Sequence, residues 1–144
     1  MIRKAEKSDI PVLAKLASLP GVWGGPEEEL YEDFRELLDS EKDLVAVFEQ
    51  NGEVIGFANI RLRSEYVAGT KSSPVAYLEG IAVFEEYRKK GIAREFLDFI
   101  EKEFGPDRIR LEVEEDNENA ISLYKKKGYR FLPYLQMVKD KAEA

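Results

Sequence analysis

The sequence predicts an α/β protein, a mixed sheet with helices packed on its faces. Three observations carry this. Two apolar runs, Leu44 to Phe48 and Val54 to Ala58, flank Asn51-Gly52, the strongest hairpin signal in the chain. Four other segments repeat apolar residues at helical spacing between capping and breaking residues. The segments alternate in the order β-α-α-β-β-β-α-β-α-β-β.

Ile2 to Ala5 forms a short strand. Ser8 or Asp9 caps a helix with Pro11 in its first turn and Ile10, Leu13, Leu16 and Ala17 on one face. Pro20-Gly21 ends it, and a loop holds Trp23. Pro26 opens a second helix whose first turn places Glu27, Glu28 and Glu29 at its positive end, with Leu30, Phe34, Leu37 and Leu38 inward. After the hairpin, Tyr66 to Ser73 reads as a loop and Val75 to Val83 as a strand. Gly91 to Phe104 is helical and stops at Gly105-Pro106. Ile109 to Val113 is a strand, and Asn117 to Lys127 a helix closed by Gly128. Tyr129 to Phe131 and Leu135 to Val138 are the last strands.

The 144 residues fit a single domain, 1–144, with no linker or repeat. There is no His and no Cys, which excludes disulfides, thiolate nucleophiles, the common zinc sites and a Ser-His-Asp triad. Chemistry falls to carboxylates, Tyr, Lys, hydroxyls and backbone amides, and no metal is expected. A net charge of −7 argues against nucleic acid as a partner and suits a cationic small molecule. No apolar run spans a membrane and no secretory signal opens the chain, so a cytoplasmic location is expected.

One segment points to a reaction. The apolar strand Ile81-Ala82-Val83 runs into the basic turn Arg88-Lys89-Lys90, then Gly91-Ile92-Ala93-Arg94 at the start of a helix. Amides at a helix start carry partial positive charge and attract anions. Gly91 and Ala93 let a phosphate approach the backbone. The alternative is an ordinary strand-turn-helix with solvated cations. A Walker loop and a dinucleotide fingerprint are both absent.

Arg88-x-x-Gly91-x-Ala93, followed by Asn117-x-x-Ala120-Ile121-x-Leu123-Tyr124 and Gly128-Tyr129, resembles the GCN5-related N-acetyltransferase (GNAT) superfamily across nearly the whole chain. The resemblance implies a central, mostly antiparallel sheet with helices on both faces, and acetyl-CoA as co-substrate. It implies that the turn cradles the pyrophosphate, that Ile81 to Val83 pair with the pantetheine arm, that Asn117 contacts that arm, and that Tyr124 lies near the thioester sulfur. Without Cys or His, direct attack of a bound amine is the simplest route. Tyr124 is then either the acid that protonates the leaving thiolate or a core aromatic. Glu79 is a charge within an apolar strand, on a face shared with Tyr77, Ile81 and Val83 if side chains alternate. Glu112 joins it if the next strand is a neighbour, and either carboxylate could bind and deprotonate the amine.

The run from Tyr66-Val67-x-Gly69-Thr70 through Ser72-Ser73-Pro74-Val75-Ala76-Tyr77-Leu78-Glu79-Gly80-Ile81 is similar to aminoglycoside 6′-N-acetyltransferases. That likeness implies a polycationic acceptor lined by Trp23, Tyr66, Glu79 and Glu112, and a homodimer. That group carries Asp where Glu112 stands and His where Tyr124 stands. Trp23 is otherwise a core plug. The competing functions are acetylation of another small amine or a peptide N-terminus, and a non-catalytic acyl-CoA-binding module. The lack of His and Cys beside abundant Glu and Lys also resembles a redesigned scaffold.

Overall fold

A computed structural model describes residues 1–65, 73–104 and 108–142. Strands β1 (Ile2–Lys4), β2 (Asp43–Gln50), β3 (Glu53–Glu65), β4 (Ser73–Val83) and β5 (Arg108–Leu111) form one sheet in that order. All neighbours are antiparallel except β4 and β5, which are parallel. The helices are α1 (Ile10–Ala17), α2 (Glu27–Asp39), α3 (Ile92–Phe104) and α4 (Glu118–Lys126). Met1–Glu112 and Val113–Ala144 are two compact units, the first holding the sheet and α1 to α3, the second α4. Among the described residues no helix is long and apolar enough to cross a membrane.

The hairpin between β2 and β3 turns where expected. Asn51 and Gly52 both take positive φ, 53° and 79°, as a two-residue type I′ turn requires. One face of the sheet is covered by α1 and α2. Ile10, Leu13, Leu16, Leu30 and Phe34 pack there with Val45, Val47, Phe57 and Ala82. Phe34 stacks on Trp23 at 5.3 Å and meets Phe57 edge-on at 5.5 Å. The opposite face carries α3, whose Phe96 meets Phe48 edge-on at 6.3 Å. Gly56 serves the close approach of β3 to β4, since a Cβ there would lie 2.9 Å from the Ala82 carbonyl, with the Phe96 ring 3.4 Å away.

The entry to α1 is fixed by a charge. Asp9 is buried. It accepts from Arg3 Nη1 and Nη2 at 2.8 and 3.0 Å and from the Glu6 amide at 2.7 Å. The hydrogen bonds from Arg3, with the backbone N–H adding to them, hold the Asp9 carboxyl below its ordinary value of 3.8. A depressed carboxyl stabilises the fold above the unfolded-state pKa, and that stability is lost as pH falls through the folded-state pKa. Asp9→Asn is therefore expected to cost about 2 kcal/mol or more at pH 7. Urea melts should show the wild-type advantage vanishing well below pH 4; an undiminished gap at low pH would contradict the assignment.

Two expectations are corrected. On β4, Gly80 pairs with Asn59 and Leu78 with Ile60, which leaves Glu79 as an extra residue. This bulge shifts the side-chain phase. Tyr77 and Glu79 lie with Arg63, whose guanidinium sits 4.4 Å over the Tyr77 ring and 2.7 Å from Glu79 Oε1. Past the bulge, Ala82 joins the α1/α2 core and Val83 faces Gly56 and Phe96. Ile81 and Val83 thus do not share a face with Tyr77 and Glu79. The expected strands at 129–131 and 135–138 do not form either. Phe131, Tyr134, Leu135, Met137 and Val138 are 64 to 96% exposed. Strand propensity alone does not make a strand without a hydrogen-bonded neighbour.

Candidate active site

β4 is the element on which the site in the first unit is built. Its pairing with β5 covers only Val75 to Leu78, opposite Arg108 to Leu111. Beyond Leu78 it stays paired with β3 as far as Val83. From Glu79 onward, the β5 side of the strand therefore faces no strand among the described residues. Ile81, Ala82 and Val83 lie on this stretch, where an extended ligand could add as a further strand through main-chain hydrogen bonds.

The strand then delivers the basic turn. Arg88 Nε donates to the Val83 carbonyl at 3.0 Å and clips the turn to the strand end. Lys89 and Gly91 both take positive φ, 62° and 82°. Lys90 Nζ sits 5.6 Å above the Tyr87 ring. The Glu95 amide bonds to the Gly91 carbonyl at 3.0 Å, which opens the α3 ladder. The amides of Ile92, Ala93 and Arg94 then have no acceptor inside the helix. A Cβ added at Gly91 would meet no atom within 4 Å, so the space beside the turn is open to an anion. Strand edge, open turn and cationic helix start fit the pantetheine and pyrophosphate of a CoA thioester.

On the α1/α2 face of the sheet, Trp23, Asp33, Glu36, Leu37, Asp43 and Glu79 line an open cleft of about 480 Å³, with Asn59, Arg61 and Arg63 beside them. The amides of Trp23 and Gly24 both bond to the Ala17 carbonyl, at 3.1 and 3.0 Å, and anchor the loop to the end of α1. The indole N–H donates to the Glu79 carbonyl at 3.0 Å. Trp23 is thus a core plug and a cleft wall at once. Gly80 is required beneath it, because a Cβ there would lie 2.8 Å from the indole. Glu112 directly follows β5, at the position after the Leu111 and Leu78 pair, as Glu79 does on β4. Arg110, two residues earlier, lies 5.4 Å over Tyr77. Tyr66 lies outside the described residues.

Asp33, Glu36 and Asp43 were not among the residues singled out from sequence. Asp33 and Glu36 stand at i, i+3 on α2, a spacing that joins them on one face, but on an acidic helix it looks like solvated surface.

In the second unit, Asn117 caps α4 by accepting from the Ala120 amide at 3.2 Å. Tyr124 is half-buried and its ring lies 5.7 Å from that of Tyr129. Burial pushes its phenol above the ordinary value of 10.0. At neutral pH it is a protonated donor, the state a general acid needs.

The open edge of β4, the turn at Gly91 and the acid-lined cleft thus lie along one strand and its continuation. The chain belongs to the acetyltransferase (GNAT) family, whose model matches residues 11–129. It is 38% identical over 96 residues to an aminoglycoside N(6′)-acetyltransferase type 1 of Stenotrophomonas maltophilia, covering 67% of this chain and 61% of that protein. It is 30% identical over 143 residues to an N-alpha-acetyltransferase of Sulfurisphaera tokodaii, covering 94% of this chain and 83% of that one. The crystal structure of aminoglycoside antibiotic 6′-N-acetyltransferase AAC(6′)-Ih from Acinetobacter baumannii superposes with a TM-score of 0.81 at 26% identity, covering 99% of both chains.

Proposed function

We propose that this acetyltransferase moves the acetyl group of acetyl-CoA to a primary amine of a polycationic sugar, the 6′-amine of an aminoglycoside. The observation that carries this is the double use of β4. Its bulge puts Glu79 in the acid-lined cleft, and its next residues run along the open edge into the Gly91 turn. One strand can therefore hold both reactants against each other, which is the main requirement of direct transfer. Glu79 and Glu112 are the candidates for binding the ammonium and accepting its proton, Glu79 by exchanging Arg63 for the substrate. Tyr124 supplies a proton to the departing thiolate, and the whole chain, 1–144, acts as one catalytic domain.

Trp23 offers a flat aromatic wall, and Asp33, Glu36 and Glu79 offer charge to several amines of one sugar. We further propose a homodimer in the cytoplasm, its partner copy covering the exposed apolar residues between Phe131 and Val138. Sedimentation should show a mass twice that of the chain. The reading is tested by thiol release from acetyl-CoA with kanamycin, neomycin, polyamines and an N-terminal peptide as acceptors. Rapid release with kanamycin and none with peptide is expected. The reverse pattern would instead match the activity named for the Sulfurisphaera relative.

A further inference from the structure

Among the described residues, a buried oxygen at the cleft lacks a hydrogen-bond partner. Asp43 begins β2 in register with Arg61 of β3. Its side chain is only 2% exposed, and its Oδ1 is buried without a hydrogen-bond partner. Arg61 Nη1 is 3.9 Å from Oδ2, an ion-pair distance too long for a hydrogen bond. Buried carboxylates are retained when something pairs with them, because an unpaired one is costly. Asp43 lines the same cleft as Trp23 and Glu79. An amine acceptor bound in this cleft would bring ammonium groups able to pair with the carboxylate more closely than Arg61 does.

Its distance from the reacting amine follows from the sheet. β2 and β4 are separated by β3 alone, and Asp43 is in register through Arg61 with Tyr77, two residues before Glu79; two strand spacings and that offset make about 12 Å. Resting on the acceptor assignment above, we infer that Asp43 receives a second ammonium group of the acceptor while the reacting amine sits at Glu79. Asp43 is then a specificity-determining residue, and the acceptor class is a diamine of disaccharide size. Arg61 competes with that ammonium for Oδ2.

The test compares neamine, a disaccharide-sized polyamine, with 6-amino-6-deoxyglucose, which has a single amine. Wild-type KM should be at least about tenfold lower for neamine, and Asp43→Asn should raise it about tenfold or more by leaving the ammonium unpaired. The same substitution should leave KM for the monoamine within about twofold and both kcat values unchanged, as expected for a contact made equally in ground and transition states. Its Tm should stay close to that of the wild type, since in the free protein the carboxylate has only the long 3.9 Å contact with Arg61 to lose; a purely structural Asp43 would lower it.

Arg61→Gln is the second variant and decides the matter if Asp43→Asn does not fold. It should lower KM for neamine only. Equal effects of Asp43→Asn on both acceptors, an unchanged preference for neamine, or a raised neamine KM in Arg61→Gln would overturn the inference. If the wild type acetylates neither sugar, the acceptor assignment itself fails and this inference falls with it.

Discussion

Tyr124→Phe should lower kcat by about 10²-fold to 10⁴-fold, the range for losing a positioned general acid, while the affinity for CoA stays within a factor of about two if the hydroxyl acts only as the thiolate leaves. The substitution removes one oxygen and keeps the ring, so the contact with Tyr129 survives. Its effect can therefore be read as chemistry. Burial raises the phenol pKa, which keeps the proton in place at neutral pH. It also places the wild-type loss of activity with rising pH above the ordinary tyrosine range. The acid is the neutral form, so activity is full below that pKa and falls as pH passes it. The residual rate of the Phe variant should lack this alkaline fall. A kcat within about threefold of wild type, a difference of under 1 kcal/mol in the barrier, would show that Tyr124 is a packing residue and that solvent protonates the thiolate.

The elements that sequence pattern placed correctly are those whose signals are local. Asn51-Gly52 needed only its own two backbone angles to turn β2 into β3. The α2 period of Leu30, Phe34 and Leu37 needed only one face to bury. The turn from Arg88 to Ala93 was legible because strand, cations and small residues follow one another directly. The bulge at Glu79 was not, because an extra residue on one strand is defined by its partner, here Asn59 and Ile60. Missing it misassigned Ile81 and Val83 to the Glu79 face, although Glu79 itself was found as a charge in an apolar run. Asp43 was missed for a related reason. Its side chain is buried at the start of β2 beside Arg61 of β3, whereas in sequence it is one more acid in an acidic stretch near Glu41. The failed strands between Tyr129 and Val138 show the converse, good strand residues without a neighbouring backbone.

Gly91→Asp should abolish most CoA binding and leave the fold intact, raising Kd by about 10²-fold or more, equivalent to 2.7 kcal/mol. Two effects separate here. The φ of 82° at Gly91 disfavours any side chain, but Asp and Asn tolerate the left-handed region better than other residues. No atom stands within 4 Å of the new Cβ, so the protein need not rearrange to admit it. Gly91→Asn therefore measures strain and crowding of the approaching phosphate, with an expected loss of about tenfold. The further loss in Gly91→Asp measures charge, a carboxylate held where the amides of Ile92, Ala93 and Arg94 would meet a diphosphate. That further loss should shrink in 1 M salt, where the screening length drops to about 3 Å, whereas the loss from Asn should persist. Calorimetric titration of CoA into the wild type and both variants at two salt concentrations reads all of this. Equal affinities for the Asn and Asp variants at low salt would mean that the diphosphate binds elsewhere, and that the strand-to-helix turn is structural alone.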